Sequence, residues 1–577
     1  MKQNTTAALC FLLLVAVGMA AVGTQTIAGQ EPTPEREHGG EVPSNVTIST
    51  SPAIQTSTTE TDTYTVVASD PDAVNISQLE QFGEVSTHSG RLLKVQLSSS
   101  ATQDVAALPW VEEVQLAAEP VPTQTSSGEN ASSLGVAQLH EAGVTGEGAR
   151  VGVIDAGFDT SAPGVSSNTI DTRQFATATD TNHGTAVAQI VTTTAPNASL
   201  YLVTAQTPTD VAAALDYFTA NNVDVVVMAI GFPTLNDDGQ HVLAEPIAQT
   251  RTDGTLVVAS AGNQRQSHWE GAFLDTNENN FHEFSDAVGE TQCIPYCTRL
   301  AQPGRLVAVL DWEREGDGSE YRLGLYDPST NEVFAGSVPR YETRDDKRQY
   351  LATQVTERPV DLVLWNTAGP ANDDLEIHLY NRRMADPVGR SSISPPSDSP
   401  AALSVAAYAR SQGQIASYSS LGPTDDGRTQ PSITGYTDIA VERYDGPFGG
   451  TSAAAPYVAG VAALIEGATS ADQSPAMLTR RLQANSTDIN TPGTDNVSGA
   501  GLLNASATVT ISQNRSTDQN TTTAVYEPNS TPAAYDGDDD GQISISELAV
   551  AGQAYVSGEL TIAELATVGR AYINSTG

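Results

Sequence analysis

Four apolar runs set the rhythm of the middle of the chain: "RVGVID", "SLYLVTA", "VDVVVMAIG" and "TLVVASAGN". They are rich in β-branched residues and lack the polar alternation of a strand with one wet face. Each therefore predicts a strand buried on both faces of a parallel sheet. Between them, "DVAAALDYFTANN" places Val211, Leu215 and Phe218 on one face of a helix. Strands alternating with helices indicate an α/β domain, over residues 130–268. The rhythm then breaks. Residues 269–390, with "RLVAVLDWE", "YRLGLYDP", "DLVLWNT" and "LEIHLYN", read as strands divided by turns, an inserted β-sandwich. The α/β pattern resumes at "AALSVAAYA" and fills 391–510. Upstream, residues 60–118 follow a β-α-β-β-α-β order, a small α+β domain. Polar linkers are expected at 24–59 and 511–534, and a small helical unit at 535–577.

Charge narrows the setting. The 577 residues carry 69 acidic and 27 basic side chains, a net charge of −42, and only three lysines. This balance disfavours nucleic acid and anionic membranes as partners. The acids are dispersed along a chain that is 39% hydrophobic, which suits a globular protein kept soluble in high salt, where self-repulsion is screened. Residues 1–23 pair one lysine with an apolar run, Ala7 to Val22, too short for a typical membrane span and suited to a signal peptide. An uncleaved anchor is the alternative; after cleavage no membrane attachment is expected, and the protein would be secreted or at the cell surface. Cys293 and Cys297 would then be the remaining cysteines, placed for a local disulfide and too few for a zinc site. Recurrent Asn-X-Ser/Thr sequons are consistent with a glycoprotein.

The polar residues at the ends of the apolar strands carry the candidate chemistry, because sites in open α/β sheets lie there. Asp155 closes "VGVID", and Asn263 lies just past "VVASAG". His183, in "NHGT", opens a helix-like run. Taken singly, each is as easily a turn or capping residue. Ser452, in "GGTSAAAPYVAG", is more informative. Proline is tolerated in the first turn of a helix, so Pro456 predicts a helix start near Thr451 to Ala453. Ser452 would then sit at the positive end of the helix dipole, its own N–H available to an oxyanion.

The four motifs occur in the order Asp, His, Asn, Ser, and Asp–His–Ser is the chain order of subtilisin. With "SYSSLGPTDDGRTQPSI" before the serine, the chain resembles the subtilisin-like serine proteases over about 136–265 and 395–505. The resemblance implies an α/β parallel-sheet catalytic fold and an endopeptidase that cleaves protein or peptide substrates through an acyl-enzyme. Ser452 would be the nucleophile, His183 the general base and then acid, Asp155 its orienting carboxylate, and Asn263 an oxyanion donor. The strand Val225 to Gly231 and "VVASAGN" would flank a substrate backbone bound as an added strand. Residues 60–118 are similar in layout to the family's propeptide, making the protein a zymogen; an ordinary accessory domain is the alternative. Ala186 stands where a second His is usual, Gln189 where Gly is common, Ala229 where Ser is frequent and Ser432 where Asp is commoner. These departures bear on subfamily and specificity rather than on the chemistry.

The C-terminal unit carries a different signal. "DGDDDGQISISE" meets the demands of an EF-hand loop: carboxylates from Asp536, Asp538, Asp540 and Glu547, the Gln542 carbonyl, and Gly541 at the turn. Calcium is the expected ligand. The segment from Gly541, "GQISISELAVAGQAYV", repeats from Gly558 as "GELTIAELATVGRAYI", giving a dockerin-like or degenerate EF-hand pair with one full site. A dockerin would dock a cohesin-bearing surface protein; a stabilising calcium knob is the other reading. A weaker loop of EF-like spacing contains Asp275, Asn277, Asn279 and Asp286, with Asn280 at the turn; a polar turn is its rival. The rival to the enzyme as a whole is a non-catalytic surface adhesion protein built on a protease fold.

Overall fold

The computed structural model describes residues 47–48, 61–98, 100–117, 129–130, 135–232, 235–276, 278–284, 304–312, 318–327, 332–339, 348–355, 361–380, 383–384, 387–444, 447–469, 473–509 and 568. The signal-like segment, the cysteine pair and the calcium loop with Asp536, Asp538, Asp540, Gln542 and Glu547 lie outside the described residues. No helix among those described is long and apolar enough to cross a membrane.

The α/β portion is built on one sheet. Its parallel strands run in the order Thr169–Gln174, Ser199–Thr204, Arg150–Asp155, Val225–Met228, Leu256–Ser260, Leu403–Ala409, with Ile433–Tyr436 pairing parallel to the last. Alternate side chains leave a strand on opposite faces, and here both faces are covered. Val225 and Val227 enter a core with Val151, Val153 and the helix Thr451–Ala468. Val226 and Met228 enter another with Val211, Leu215 and Phe218. This explains why the runs are continuously apolar. Complete burial of each such side chain is worth about 1.5–3 kcal/mol before chain entropy is counted. The edge strand Thr169–Gln174 is exposed and polar, and no apolar run announces it.

Two helices pack on the first face and carry the candidate histidine and serine: Thr181–Thr194 and Thr451–Ala468. They meet at Gly460, where a Cβ would lie 2.6 Å from Thr194 Cβ.

The segment 61–117 forms an antiparallel sheet in the order Glu84–Ser89, Leu92–Ser98, Thr61–Ala68, Val111–Leu116, with short helices Ile76–Leu79 and Thr102–Ala106. It docks on the helix Pro208–Ala220 through Lys94, whose Nζ lies 2.9 Å from Asp210 Oδ2, and through Ser89 Oγ, which donates to Asp216 Oδ2 at 2.5 Å. Asp210 is buried and has a second task in the capping box with Thr207. Stripping Lys94 from that carboxylate would leave it buried with fewer partners, a loss of several kcal/mol in comparable sites.

Between the two halves of the α/β portion lie two largely antiparallel sheets. One orders His268–Ala272, Asp374–Tyr380, Gly304–Trp312 and Gln349–Val355; the other orders Glu332–Gly336, Glu320–Asp327 and Asp361–Ala368. Leu306, Leu310, Leu323, Leu325, Leu364 and Ile377 from both sheets share one core. In the neighbouring loop, both oxygens of Asp275 accept backbone hydrogens, from Asn279 at 3.0 Å and Asn280 at 2.7 Å. Asn280 takes the left-handed conformation, φ 68°. Asp275 caps this turn; Asn277 and Asp286 lie outside the described residues.

Candidate active site

Asp155 is the last residue of its strand, so its side chain projects at the carboxyl end of the sheet. The helix Thr181–Thr194 begins beside it, capped by Asp180, whose Oδ1 accepts from Asn182 N at 2.8 Å and His183 N at 3.3 Å. Gly184 permits the approach: a Cβ there would lie 2.3 Å from Gly157 O and 2.8 Å from Asp155 Cβ. The result is a fully buried pair, with His183 Nδ1 2.9 and 2.8 Å from the two carboxylate oxygens of Asp155. Burial opposes charge on the imidazole, but the Asp155 carboxylate outweighs it, helped by Asp180, and the His183 pKa rises above its ordinary value. Nδ1 is thereby fixed as the donor, and Nε2 has no hydrogen-bond partner among the described residues. An imidazole so held can accept a proton at Nε2 and be stabilised once charged.

Ser452 is the second residue of the helix Thr451–Ala468, and Gly450 precedes the helix at φ 93°, a conformation that favours glycine. The predicted helix start is where the helix begins. Pro456, however, is its sixth residue, beyond the first turn; its missing N–H leaves the Ser452 carbonyl without its helical partner. Ser452 Oγ donates to Ala229 O at 2.8 Å. Its hydroxyl is thus engaged at the end of the neighbouring strand rather than on His183.

Asn263 sits half-buried just past Leu256–Ser260, after a turn at Gly262 with φ 106°. A Cβ on Gly262 would meet Gln264 Oε1 at 2.3 Å and Ser394 Oγ at 2.6 Å. The Asn263 Oδ1 accepts from Thr451 N at 3.0 Å and Thr451 Oγ1 at 2.9 Å. With its oxygen so occupied, Nδ2 is the group this side chain offers to a developing anion, next to the helix N-terminus. The structure thus gathers Asp155 with His183, and Asn263 with the residue before Ser452.

Three side-chain contacts at the site are not predicted by the sequence. Thr451 orients Asn263; its position inside the serine motif was the available signal. Phe448 packs edge-on against His183, ring centroids 5.2 Å apart. Gln189 accepts from Arg443 N at 3.1 Å and donates to Pro163 O at 3.1 Å, while Arg443 Nη1 pairs with Asp159 at 2.9 Å. The departure at position 189 therefore ties the histidine helix to the segment leading into the serine motif.

One expectation needs correction. Both edges of Val225–Met228 are paired, to Arg150–Asp155 and Leu256–Ser260. Along its length that strand therefore has no edge for a substrate to join, and past it Ala229 O accepts from Ser452 Oγ.

The sequence pattern of the subtilase family matches residues 146–287 and 372–501, and those segments contain Asp155, His183, Asn263 and Ser452. The match supports a subtilisin-like serine peptidase with protein substrates. Among solved structures, that of the Clostridium perfringens CspB protease is similar at 16% identity and a TM-score of 0.47, covering 68% of this chain and 99% of that one. No curated protein matches the chain significantly.

Proposed function

We propose that the chain is a secreted, salt-adapted subtilisin-like endopeptidase acting through Asp155, His183 and Ser452. The observation that carries this reading is His183 held by both oxygens of Asp155 with Nε2 left free, in segments that match a peptidase family. In the reaction, Ser452 Oγ turns from Ala229 O towards His183 Nε2, gives up its proton and attacks the scissile carbonyl. The Asn263 amide and the Ser452 N–H receive the oxyanion. His183 then hands the proton to the leaving amine, and a water repeats the sequence to free the acyl group. Residues 60–118 act as a propeptide that self-cleavage removes, and Asp536, Asp538, Asp540, Gln542 and Glu547 hold calcium in a module that stabilises the chain or docks it to a cohesin-like surface protein.

The engagement of Ser452 Oγ by Ala229 O favours the rival, a surface binding protein that retains the fold without the chemistry. A fluorophosphonate probe separates the two. Labelling of the mature protein in high salt, abolished by Ser452→Ala, is expected of the enzyme; an unlabelled wild type supports the binding protein. Unchanged processing in Ser452→Ala would refute self-cleavage while leaving the peptidase reading intact.

A further inference from the structure

The boundary between the inserted sheets and the α/β portion holds a second cluster of buried polar side chains, which the chemistry above does not use. Strand His268–Ala272 runs antiparallel to Asp374–Tyr380, and the register sets His268 directly opposite His378. Residues two apart on a strand share a face, so Glu376 joins the two imidazoles on one side of the ladder. The placement follows from backbone pairing rather than from chance rotamers. His268 Nε2 lies 2.6 Å and His378 Nε2 3.0 Å from Glu376 Oε1. Asp237, from a loop of the α/β portion, brings Oδ2 to 2.9 Å from His378 Nε2. Both histidines and Asp237 are buried.

We propose that His268, His378, Glu376 and Asp237 bind one divalent transition-metal ion, with zinc as the best match, which pins the inserted sheets to the α/β portion. Two imidazole nitrogens and two carboxylates are a donor set suited to a four-coordinate zinc ion. The His268 Nδ1 proton is donated to Val388 O at 2.6 Å, the outer contact typical of a metal-bound imidazole, and this turns Nε2 into the cluster as a lone pair. Without a cation, that lone pair would face the Glu376 carboxylate at 2.6 Å. Charge points the same way: Asp237, Glu376, Asp311 and Asp425 crowd this place, with Arg348 reaching Asp311 and lying 3.7 Å from Asp237. A cavity of about 940 Å³ lined by Asp237, Glu376, Asp311, Asp425 and Arg348 reaches the carboxylate side of the cluster. The ion would also steady the five-residue path from Asn263 to His268. The proposal stands apart from the peptidase reading, because it requires no hydrolysis.

The test uses the full chain, stripped with a chelator in high salt and titrated with Co²⁺ alone. Binding of one equivalent with the intense visible bands of tetrahedral cobalt, displaced by zinc, is expected. Cobalt on the acidic surface or on the C-terminal loop would have oxygen ligands and remain pale. His378→Ala should abolish the bands. Asp237→Asn, which lies outside the strands and spares their pairing, should weaken binding by about 10-fold or more. Absence of the bands from the wild type, or their persistence in both variants, would overturn the proposal and leave a cluster held together by protons.

Discussion

His183 and His378 are both buried and both face carboxylates, yet their surroundings differ. His183 meets one carboxylate through Nδ1, and its Nε2 has no hydrogen-bond partner among the described residues. His378 presents Nε2 to two carboxylates at once, Asp237 and Glu376, with a second imidazole beside it. One carboxylate behind a free nitrogen makes a base that can be charged and discharged. Two carboxylates crowding the same nitrogen make a place where positive charge must stay. Proton transfer needs the first arrangement and cross-linking the second, and the same residue types serve both.

Breaking the first arrangement should have the largest effects. Ser452→Ala is expected to lower kcat by about 10⁶-fold with the fold intact by circular dichroism, since triad members act as a unit. Asp155→Asn should cost about 10⁴-fold in kcat. It should also shift the acid limb of the kcat/KM profile. In the wild type, His183 must be neutral to act, and its raised pKa places loss of activity above the usual histidine value as pH falls. Without the Asp155 charge, burial dominates and the limb should move to lower pH. An unmoved limb would mean that Asp155 does not set the His183 pKa. Asn263→Ala should lower kcat by about 10²–10³-fold with little change in KM.

A smaller effect distinguishes the inserted sheets. His282 is buried among Trp269, Phe273 and Phe284, and its Nδ1 accepts from Leu274 N at 2.9 Å. Burial pushes its pKa down to about 3, so the folded state holds it neutral while the unfolded chain takes up a proton below about pH 6.5. Stability should therefore fall as pH drops from about 6.5 towards 3, by at most about 1.4 kcal/mol per unit. Denaturant unfolding at pH 7 and pH 4 would measure it; His282→Leu should lessen the pH dependence even if it costs stability at neutral pH.

The legibility of the molecule follows burial. Strands such as Val225–Met228 could be read because both faces are apolar, whereas Thr169–Gln174, "TIDTRQ", is a polar edge strand with no pattern to betray it. The strand-end position of Asp155 was readable from local rules; the helix start near Ser452 was placed correctly although Pro456 lies one turn deeper than the first-turn rule for proline puts it. The latch from Thr451 to Asn263 was not, because it joins residues 188 apart that only the folded sheet brings together. No local pattern singles out His268; its pairing with His378 depends on strand register across more than a hundred residues of chain.

The proposed peptidase chemistry depends above all on His183 activating Ser452. The direct measurement is the pH dependence of fluorophosphonate labelling in high salt, with the modified peptide identified by mass spectrometry. Modification at Ser452 should rise with pH through a midpoint above 6.5, and Asp155→Asn should react far more slowly, with a lower midpoint. Modification at another residue, or labelling equally fast in wild type and Asp155→Asn, would contradict it.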